Sequence, residues 1–288
     1  MADFSRNLGL VCRMIKIEHS IFALPFAYAG AFLAARGWPG LSVVFFLTVA
    51  MVAVRSYAMT VNRLLDLDLD RENPRTKTRP LVTGELSVRF AVRFCLVSAA
   101  VFELACLGLN RLCLYLSPVA LGWSAFYSAT KRFTWACHFV LGSVLGLAPL
   151  AGWIGVAEAV SPAAALLLLG VTFWVGGFDI LYACQDLEFD RGRGLHSIPA
   201  RFGLATALTL STASHVLAAL FFFLAGWAAG AGWVFQASMA VIAAILLFEH
   251  RLISPQDLSR VNMAFFTLNG VVAVFVFVGV LLDLAFAR

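Results

Sequence analysis

The sequence is poor in charged residues. Only 13% of its 288 residues are Asp, Glu, Lys or Arg, compared with about a quarter in soluble globular domains. Hydrophobic residues make up 61%. This composition excludes an ordinary soluble protein. We predict a single integral membrane domain over residues 1–288, with no soluble domain attached.

Two further features are missing. The six cysteines form no CxxC pair and no cluster with histidine, so we interpret them as buried thiols and predict neither a zinc site nor a disulfide. The first apolar run follows basic residues and has no small-residue cleavage site, so we expect no cleavable signal peptide. The chemistry of this chain must therefore rest on other residue types.

Long apolar runs are present instead. A helix needs about 20 apolar residues to cross a bilayer, and nine runs approach this length. We predict an all-α membrane protein with nine transmembrane helices; two short separations leave eight or ten possible. The predicted spans are 17–35, 41–65, 88–109, 112–129, 134–157, 163–185, 204–226, 231–249 and 262–284.

The basic residues indicate the orientation of these spans. If the N-terminus is cytoplasmic, 17 of the 21 Lys and Arg residues fall in cytoplasmic segments. Cytoplasmic loops of membrane proteins carry such an excess. We therefore predict a multi-pass protein of the inner (plasma) membrane with a cytoplasmic N-terminus. Charge spread over short loops among lipid does not favour binding of nucleic acid.

A short acidic segment occurs twice in the chain. The letters DLDLDR at 66–71 recur as DLEFDR at 186–191. Each copy ends an apolar run and opens a polar loop, and loops of such length are often functional. We predict that the cytoplasmic loops at about 66–87 and 186–203 form a cap over an active site.

Helical spacing extends both acidic copies into the membrane, because residues three or four positions apart share one helix face. The first stripe contains Arg55, Asn62, Asp66 and Asp70, and the second contains Asp179, Tyr182, Asp186 and Asp190. Asp68 and Glu188 lie off the stripes and should face elsewhere. Arg55 and Asp179 lie two turns deeper, where ionisable side chains are usually functional; the alternative is that they only pair with each other.

Four carboxylates on one cavity would repel each other without cations. Mg²⁺ prefers oxygen ligands, commonly one or two carboxylates with substrate phosphate oxygens. We therefore predict Mg²⁺ at the two acidic copies and a diphosphate held by basic side chains. The cationic candidates are Arg63, Arg71, Lys77, Arg79, Lys131, Arg132 and Arg191, of which Lys77, Arg79 and Lys131 are preferred.

These motifs resemble those of the UbiA superfamily of membrane prenyltransferases. The pattern Asn62-x-x-x-Asp66-x-x-x-Asp70 resembles its first aspartate-rich motif, and Tyr182-x-x-x-Asp186-x-x-x-Asp190 resembles the second. Residues 127–132 resemble its Tyr-x-x-x-Lys-Arg segment, and residues 77–81 its Arg-Pro loop. The resemblance extends from about residue 12 to 280. It implies nine helices around a central cavity that opens to lipid, with Mg²⁺-bound isoprenyl diphosphate between the motifs.

The implied enzyme transfers a polyprenyl group from a polyprenyl diphosphate to a hydroxylated aromatic acid in respiratory quinone biosynthesis. The implied metal ligands are Asn62, Asp66, Asp70, Asp186 and Asp190, and the four aspartates together with Asp179 are the catalytic candidates. The candidate substrate contacts are Arg55, Asn62, Arg63, Lys77, Arg79, Tyr127, Lys131, Tyr182 and His138. Asp179 is a candidate base or orienter for the phenol, and Arg55 a candidate partner for the carboxylate of the acid. His138 either contacts the acceptor or is a hydrogen-bonded interior residue.

The acceptor is open between two aromatic acids. Residues 16–27, 177–182 and 195–199 resemble the branch linked to menaquinone made through futalosine, for which the acceptor is 1,4-dihydroxy-6-naphthoate. The more general acceptor of the implied enzymes is 4-hydroxybenzoate. Both are hydroxylated aromatic acids, so the same chemistry applies to either.

Other functions remain as alternatives. Paired intramembrane carboxylates and an internal repeat also suit a cation-coupled transporter, but here the acids lie at the boundary and lead into basic loops. A CDP-alcohol phosphotransferase needs Asp-Gly followed by Ala-Arg, which neither acidic copy has. Haem or chlorophyll prenylation and terpene cyclisation are other activities within the same superfamily.

Overall fold

The structure is a computed structural model that describes residues 2–16 and 22–286. These residues form helices and turns, with no β-strand among them. The helices are α1 (Ala2–Ile15), α2 (Leu24–Ala35), α3 (Leu41–Leu65), α4 (Leu67–Glu72), α5 (Val88–Leu109), α6 (Arg111–Thr130), α7 (Cys137–Ala157), α8 (Pro162–Ala183), α9 (Leu187–Gly192), α10 (Ile198–Phe202), α11 (Leu204–Ala229), α12 (Trp233–Arg251), α13 (Val261–Met263) and α14 (Asn269–Phe286). The predicted all-α membrane architecture is confirmed.

Among the described residues, the long apolar helices number one fewer than the nine predicted spans. Eight helical segments in the described part of the chain are long and apolar enough to cross a membrane. The first predicted span, 17–35, is the one without such a helix; it contains α2, an apolar helix of only 12 residues. Residues 17–21 of that span lie outside the described residues. They include Glu18 and His19 of the 16–27 segment that resembles the futalosine-linked branch. The predicted count of nine is therefore not confirmed.

Local sequence signals set several helix starts. Ser87, Asn110 and Ser161 precede α5, α6 and α8, and each side chain accepts a hydrogen bond from the backbone N–H three residues later. Such caps satisfy N–H groups that have no partner within the helix. In α8 the cap is followed by Pro162 at the first helical position, where a missing N–H does no harm.

Small residues allow the central helices to pack closely. A Cβ atom at Gly152 of α7 would lie 1.9 Å from the carbonyl oxygen of Ala27 in α2. One at Gly142 would lie 2.2 Å from the carbonyl oxygen of Thr172 in α8. Glycine is thus required at both positions, as is common where membrane helices approach each other closely. These contacts hold α7 against α2 on one side and α8 on the other.

An aromatic core fills the half of the bundle formed by α2, α8, α11, α12 and α14. Trp174 is fully buried there, with Phe26 and Phe178 at ring-centroid distances of 4.9 and 5.0 Å. Its indole N–H donates to Asn269 of α14 at 2.7 Å. Aromatic pairs of this kind stabilise a core beyond their buried area. This core fixes α8, which carries the second acidic motif.

Candidate active site

The two acidic segments have the same backbone shape. α3 ends at Leu65, and α8 continues through a 3₁₀ turn at Cys184–Asp186. Asp66 then has φ −93° and ψ 10°, and Asp186 has φ −100° and ψ 7°. The uninterrupted helices that the spacing predicted are therefore each bent at the first aspartate. The bend keeps the hydrogen bond from the Asp70 amide to the Asp66 carbonyl, at 2.8 Å, so the carboxylates still lie along one side.

All four repeated carboxylates line one small cavity, which we call the charged cavity, with a volume of about 120 Å³. Its acidic lining residues are Asp66, Asp70, Asp186 and Asp190, and its basic lining residues are Arg63, Arg75, Arg79, Lys131 and Arg132. The structure thus brings together the two halves of the sequence repeat. By formal charge the cations exceed the carboxylates by one, so the cavity as a whole suits an anionic ligand.

Each carboxylate in the charged cavity has its own cation. The ion pairs are Asp66–Arg132 at 2.8 Å, Asp70–Arg79 at 2.5 Å, Asp186–Arg75 at 2.6 Å and Asp190–Lys131 at 2.8 Å. Burying a carboxylate without such a partner is costly. Each pair therefore offsets the cost of burying its carboxylate, and the same cations are close enough to contact phosphate oxygens if the acids hold a metal ion.

Arg75 is the principal site residue that the sequence analysis did not select. Its guanidinium contacts both oxygens of Asp186, with Nε at 3.1 Å and Nη2 at 2.6 Å. Nη1 donates to the Tyr182 hydroxyl at 2.9 Å, and the guanidinium lies 5.0 Å from the centre of the Tyr182 ring. Arg75 follows the first acidic segment but binds the second. The only sequence signal was its place in a basic loop, which it shares with three other basic residues.

Lys77, which the sequence favoured as a phosphate contact, lies outside the charged cavity. Its side chain is exposed and it is not among the residues that line the charged cavity. The turn explains this, because the amides of Thr76 and Lys77 both bond to the Asn73 carbonyl. Thr76 is buried and donates to the Asp70 carbonyl. The loop therefore directs Asn73, Arg75 and Thr76 inward, where we had expected Lys77.

The remaining motif residues divide between the cavity and the surface. Arg63 is buried; it donates to the Asn62 side-chain oxygen at 2.6 Å, and the Asn62 amide donates to Asp66 at 2.8 Å. As placed, Asn62 supports Asp66, and a role as metal ligand requires its carboxamide to turn. Asp68 and Glu188 are exposed, which confirms that they lie off the stripes.

A second, polar cavity of about 200 Å³ adjoins the charged one. It shares Asp66 and Asp186 with the charged cavity and adds Asp179, Tyr127 and His138. The Asp179 carboxylate lies 2.7 Å from the His138 ring. Asp179 and Tyr127, predicted from the sequence as site residues, therefore border a space directly beside the four repeated aspartates.

Apolar space continues from the polar cavity into the membrane region. A cavity of about 110 Å³ shares Tyr127 and Leu141 with the polar cavity and includes Arg55. It shares Met51 and Ala120 with a further cavity of about 330 Å³ between α3, α5, α6 and α7. The Arg55 side chain also donates to the Lys16 carbonyl at 3.4 Å. The cavities are therefore arranged in the order charged, polar and apolar.

The ionisation of the site is shaped by burial. Burial raises the pKa of the Asp66 carboxyl above its ordinary value, against the opposing charge of Arg132. For Lys131, burial alone would lower the pKa, but the charge and hydrogen bond of Asp190 outweigh it, so the pKa is raised. Lys131 is therefore a fixed cation at neutral pH.

The donor chemistry of the charged cavity fits Mg²⁺. Within residues 2–16 and 22–286, no three His, Cys, Asp or Glu side chains converge on one metal position. The carboxylates instead come as two pairs on the bent helices. Mg²⁺ is usually bound by one or two carboxylates with substrate phosphates completing its coordination. Asp66 with Asp70, and Asp186 with Asp190, are the residues that would hold it.

A larger cavity of about 660 Å³ lies at the opposite end of the bundle, bordered by Arg36, Trp38 and Asp283. The Asp283 carboxylate there already accepts the backbone N–H groups of Gly232 and Phe235, at 2.8 and 3.0 Å. Its role is to cap the start of α12. Size alone therefore does not identify the site, because this space has a single carboxylate and a single arginine where the charged cavity has four carboxylates and five cations.

Comparison with known proteins agrees with the site. A model of the UbiA prenyltransferase family matches residues 23–271. The chain is 33% identical to the 4-hydroxybenzoate octaprenyltransferase of Aromatoleum aromaticum, covering 98% of this chain and 96% of that protein. It is 32% identical to the protein of the same name from Azoarcus sp., covering 97% and 98%.

Solved structures share the fold. The apo structure of a UbiA homolog from Aeropyrum pernix K1 has a TM-score of 0.84 and 36% identity, covering 93% of this chain and 98% of that one. A UbiA homolog from Archaeoglobus fulgidus bound to DMAPP and Mg²⁺ has a TM-score of 0.72 and 20% identity, covering 96% and 99%. From its acidic motifs, its helical architecture and these matches, the chain belongs to the UbiA prenyltransferase family.

Proposed function

We propose that this protein transfers a polyprenyl group from a polyprenyl diphosphate to a hydroxylated aromatic acid, with Mg²⁺ as cofactor. The observation that carries the proposal is the order of the cavities. Four carboxylates and five cations line the charged cavity, Asp179 borders the polar one, and apolar space follows. This order matches a diphosphate, an aromatic ring and an isoprenoid chain.

The donor is activated in the charged cavity. Mg²⁺, when bound, neutralises the diphosphate and makes it a better leaving group. The allylic C–O bond breaks, and its electron pair stays on the diphosphate oxygen. Arg75, Arg79 and Lys131 then stabilise the charge that develops there, because fixed cations need no rearrangement during the reaction. The allylic cation remains beside the polar cavity, away from bulk water.

The acceptor is placed in the polar cavity. Asp179 accepts a hydrogen bond from the phenol, which increases electron density at the ring carbon ortho to the hydroxyl. That carbon forms the new C–C bond with the allylic carbon, and the proton it carried is released as the ring becomes aromatic again. Arg55, at the edge of the adjoining apolar cavity, is proposed to bind the carboxylate of the acid. The products are the prenylated acid, diphosphate and a proton.

The two acidic loops are proposed to cap this site on the cytoplasmic side. Arg75 and Asn73 of the first loop contact Asp186 of the second segment. Arg193 of the second loop pairs with Glu72 of the first. Contacts across the cavity mouth support a cap that excludes water. The excess of basic residues in the same loops supports a cytoplasmic position and an inner-membrane location.

The acceptor is proposed to be 4-hydroxybenzoate or 1,4-dihydroxy-6-naphthoate. The printed names of the relatives from Aromatoleum and Azoarcus favour 4-hydroxybenzoate. The likeness of residues 177–182 and 195–199 to the futalosine-linked branch favours the naphthoate. The two acids differ in ring size, so relative kcat/KM values for them measure which one the polar cavity prefers.

A direct assay tests the proposal. Purified protein in detergent or liposomes is incubated with Mg²⁺, a radiolabelled polyprenyl diphosphate and each acid separately, and extracted products are separated by chromatography. We expect a prenylated acid that disappears with EDTA and returns with added Mg²⁺. Absence of prenylated product with every aromatic acid refutes the proposal. Uptake of cations into liposomes without any product would instead indicate a transporter.

A further inference from the structure

His138 is buried at the start of α7, with only 2% of its surface exposed. Both of its ring nitrogens have protein partners. Nδ1 lies 2.7 Å from Oδ2 of Asp179, and Nε2 lies 3.2 Å from the backbone nitrogen of Ile198. Of the two roles that the sequence left open for His138, acceptor contact or hydrogen-bonded interior residue, these bonds agree with the second.

These contacts determine the protonation of the ring. A backbone N–H can only donate, so Nε2 of His138 must accept the hydrogen bond from Ile198. The neutral ring then carries its single proton on Nδ1, which donates to Asp179. His138 is therefore held as one tautomer by a group on each side. Asp179 keeps its role as an acceptor and still borders the polar cavity.

The peptide that contacts His138 also contacts the charged cavity. Ser197, directly before Ile198, is fully buried and its hydroxyl donates to Oδ2 of Asp190 at 2.8 Å. The other oxygen of Asp190 pairs with Lys131 at 2.8 Å. Two adjacent residues, Ser197 and Ile198, thus connect an acid proposed to bind metal with the histidine that holds Asp179.

Further contacts fix this short segment, residues 196–198, to the neighbouring helices. The His196 amide donates to the Lys131 carbonyl at 2.7 Å, and the Cys137 thiol donates to the His196 carbonyl at 3.4 Å. Ser197 also accepts from the Ala200 amide and so begins α10. The segment cannot shift without changing contacts on both the charged and polar sides.

We propose that His138 is a positioning residue that orients Asp179 toward the aromatic acid and couples this orientation to diphosphate binding through residues 196–198. The proposal rests on the function proposed above. Its physical content is a coupling between two sites, and such coupling is reciprocal. Binding of a prenyl diphosphate at Asp190 should therefore tighten binding of the aromatic acid, and the reverse.

Two substitutions separate the two contacts of the ring. Asn places its amide nitrogen near the position of Nδ1, so His138→Asn keeps a donor for Asp179 and loses the acceptor for Ile198. Gln reaches the position of Nε2, so His138→Gln keeps an acceptor for Ile198 and loses the donor for Asp179. The pair distinguishes orientation of Asp179 from attachment to the loop.

The two variants should differ in a defined way. For His138→Gln we expect kcat/KM for the aromatic acid to fall about 10- to 100-fold, the usual range when an orienting partner is lost, with KM for the diphosphate within about threefold. For His138→Asn, which keeps the donor to Asp179, we expect a smaller loss of kcat/KM for the aromatic acid than for His138→Gln. Its acid affinity, measured by calorimetry, should no longer respond to an unreactive prenyl thiolodiphosphate, whereas wild-type affinity should.

A double-mutant cycle with Asp179→Asn completes the test. If His138 acts through Asp179, the His138→Gln change should add little to the loss already caused by Asp179→Asn. Circular dichroism and thermal unfolding check that each variant is folded, and His138→Asn with calorimetry tests the coupling even where His138→Gln does not fold.

The failure of this inference differs from the failure of the proposed function. A wild-type protein that prenylates no acid overturns the function. If the wild type is active, any of three results overturns the role of His138: an additive double-mutant cycle, equal changes of both KM values in both variants, or a wild-type affinity for the acid that does not respond to the diphosphate.

Discussion

Replacing Arg75 with Gln is the sharpest test of the charged cavity, because this residue joins the first loop to the second acidic motif. The change removes the two hydrogen bonds to Asp186 and the one to the Tyr182 hydroxyl. In the reacting complex the same guanidinium is proposed to contact the leaving diphosphate. Either way, Arg75→Gln removes a positive charge where negative charge must be stabilised.

The size of the effect follows from the contacts. A hydrogen bond to a charged group contributes about 1.5–3 kcal/mol, and the two that Arg75 makes to Asp186 are taken as the number it would make to the diphosphate in the reacting complex. Its side chain is 34% exposed, so water screens part of this and we take about 2–4 kcal/mol. At about 1.4 kcal/mol per tenfold, kcat/KM for the diphosphate should fall about 30- to 1,000-fold. Arg75→Lys keeps the charge but not the planar fork, so its loss should be intermediate.

Arg71 provides the matched control. It lies in the same loop region but pairs with Asp68 on the surface, where the two side chains are 56% and 89% exposed. Such pairs contribute about 0–1 kcal/mol, so Arg71→Gln should keep kcat/KM within a few fold. Initial rates at varied diphosphate concentration measure both variants. An Arg75→Gln enzyme within threefold of wild type, or an equal loss in Arg71→Gln, refutes the reasoning.

Three further predictions concern the metal site, the chain pocket and helix packing. Asp66→Asn should lower kcat at least about 100-fold by weakening Mg²⁺ binding, whereas the exposed Asp68→Asn should remain near wild type; similar rates for both contradict the assignment. Ala120 lines both apolar cavities, so Ala120→Phe should raise KM for long prenyl diphosphates but not for short ones. A series of diphosphates of increasing chain length measures this. An equal effect on all lengths counts against binding of the isoprenoid chain in these cavities. Gly152→Ala should destabilise the protein by about 1–3 kcal/mol, because its Cβ would lie 1.9 Å from a backbone oxygen. Gly122 has open space around it, so Gly122→Ala should not destabilise the protein. Equal melting temperatures of the two variants in detergent would contradict this packing.

Much of the architecture was predictable from the sequence because it depends on local patterns. Apolar runs of about 20 residues specify membrane helices, and eight of the predicted spans have counterparts of sufficient length. The acidic stripes were predictable for the same reason, since helical spacing alone puts Asp66 and Asp70 on one side. Asp68 and Glu188 were correctly placed outside.

The short first span was the weaker prediction. Hydropathy marks the apolar region at 17–35, but α2 begins only at Leu24. Hydropathy reports where lipid can surround a segment and does not say where a helix begins, which depends on caps and contacts. The bends at Asp66 and Asp186 were missed for a related reason, because both residues keep helical spacing while their ψ angles change.

The sequence by itself determined the membrane architecture, the acidic stripes and the need for cations near them, since all three follow from composition and helical period. Only the tertiary structure decided which cation meets which acid. Arg75 and Lys77 are two residues apart in one basic loop, yet Arg75 binds Asp186 and Lys77 is exposed. His138 likewise hydrogen-bonds to Asp179 and to Ile198, which lie 41 and 60 residues after it in the chain. Loop conformation and contacts between distant segments have no periodic signal, because they depend on how the helices pack together.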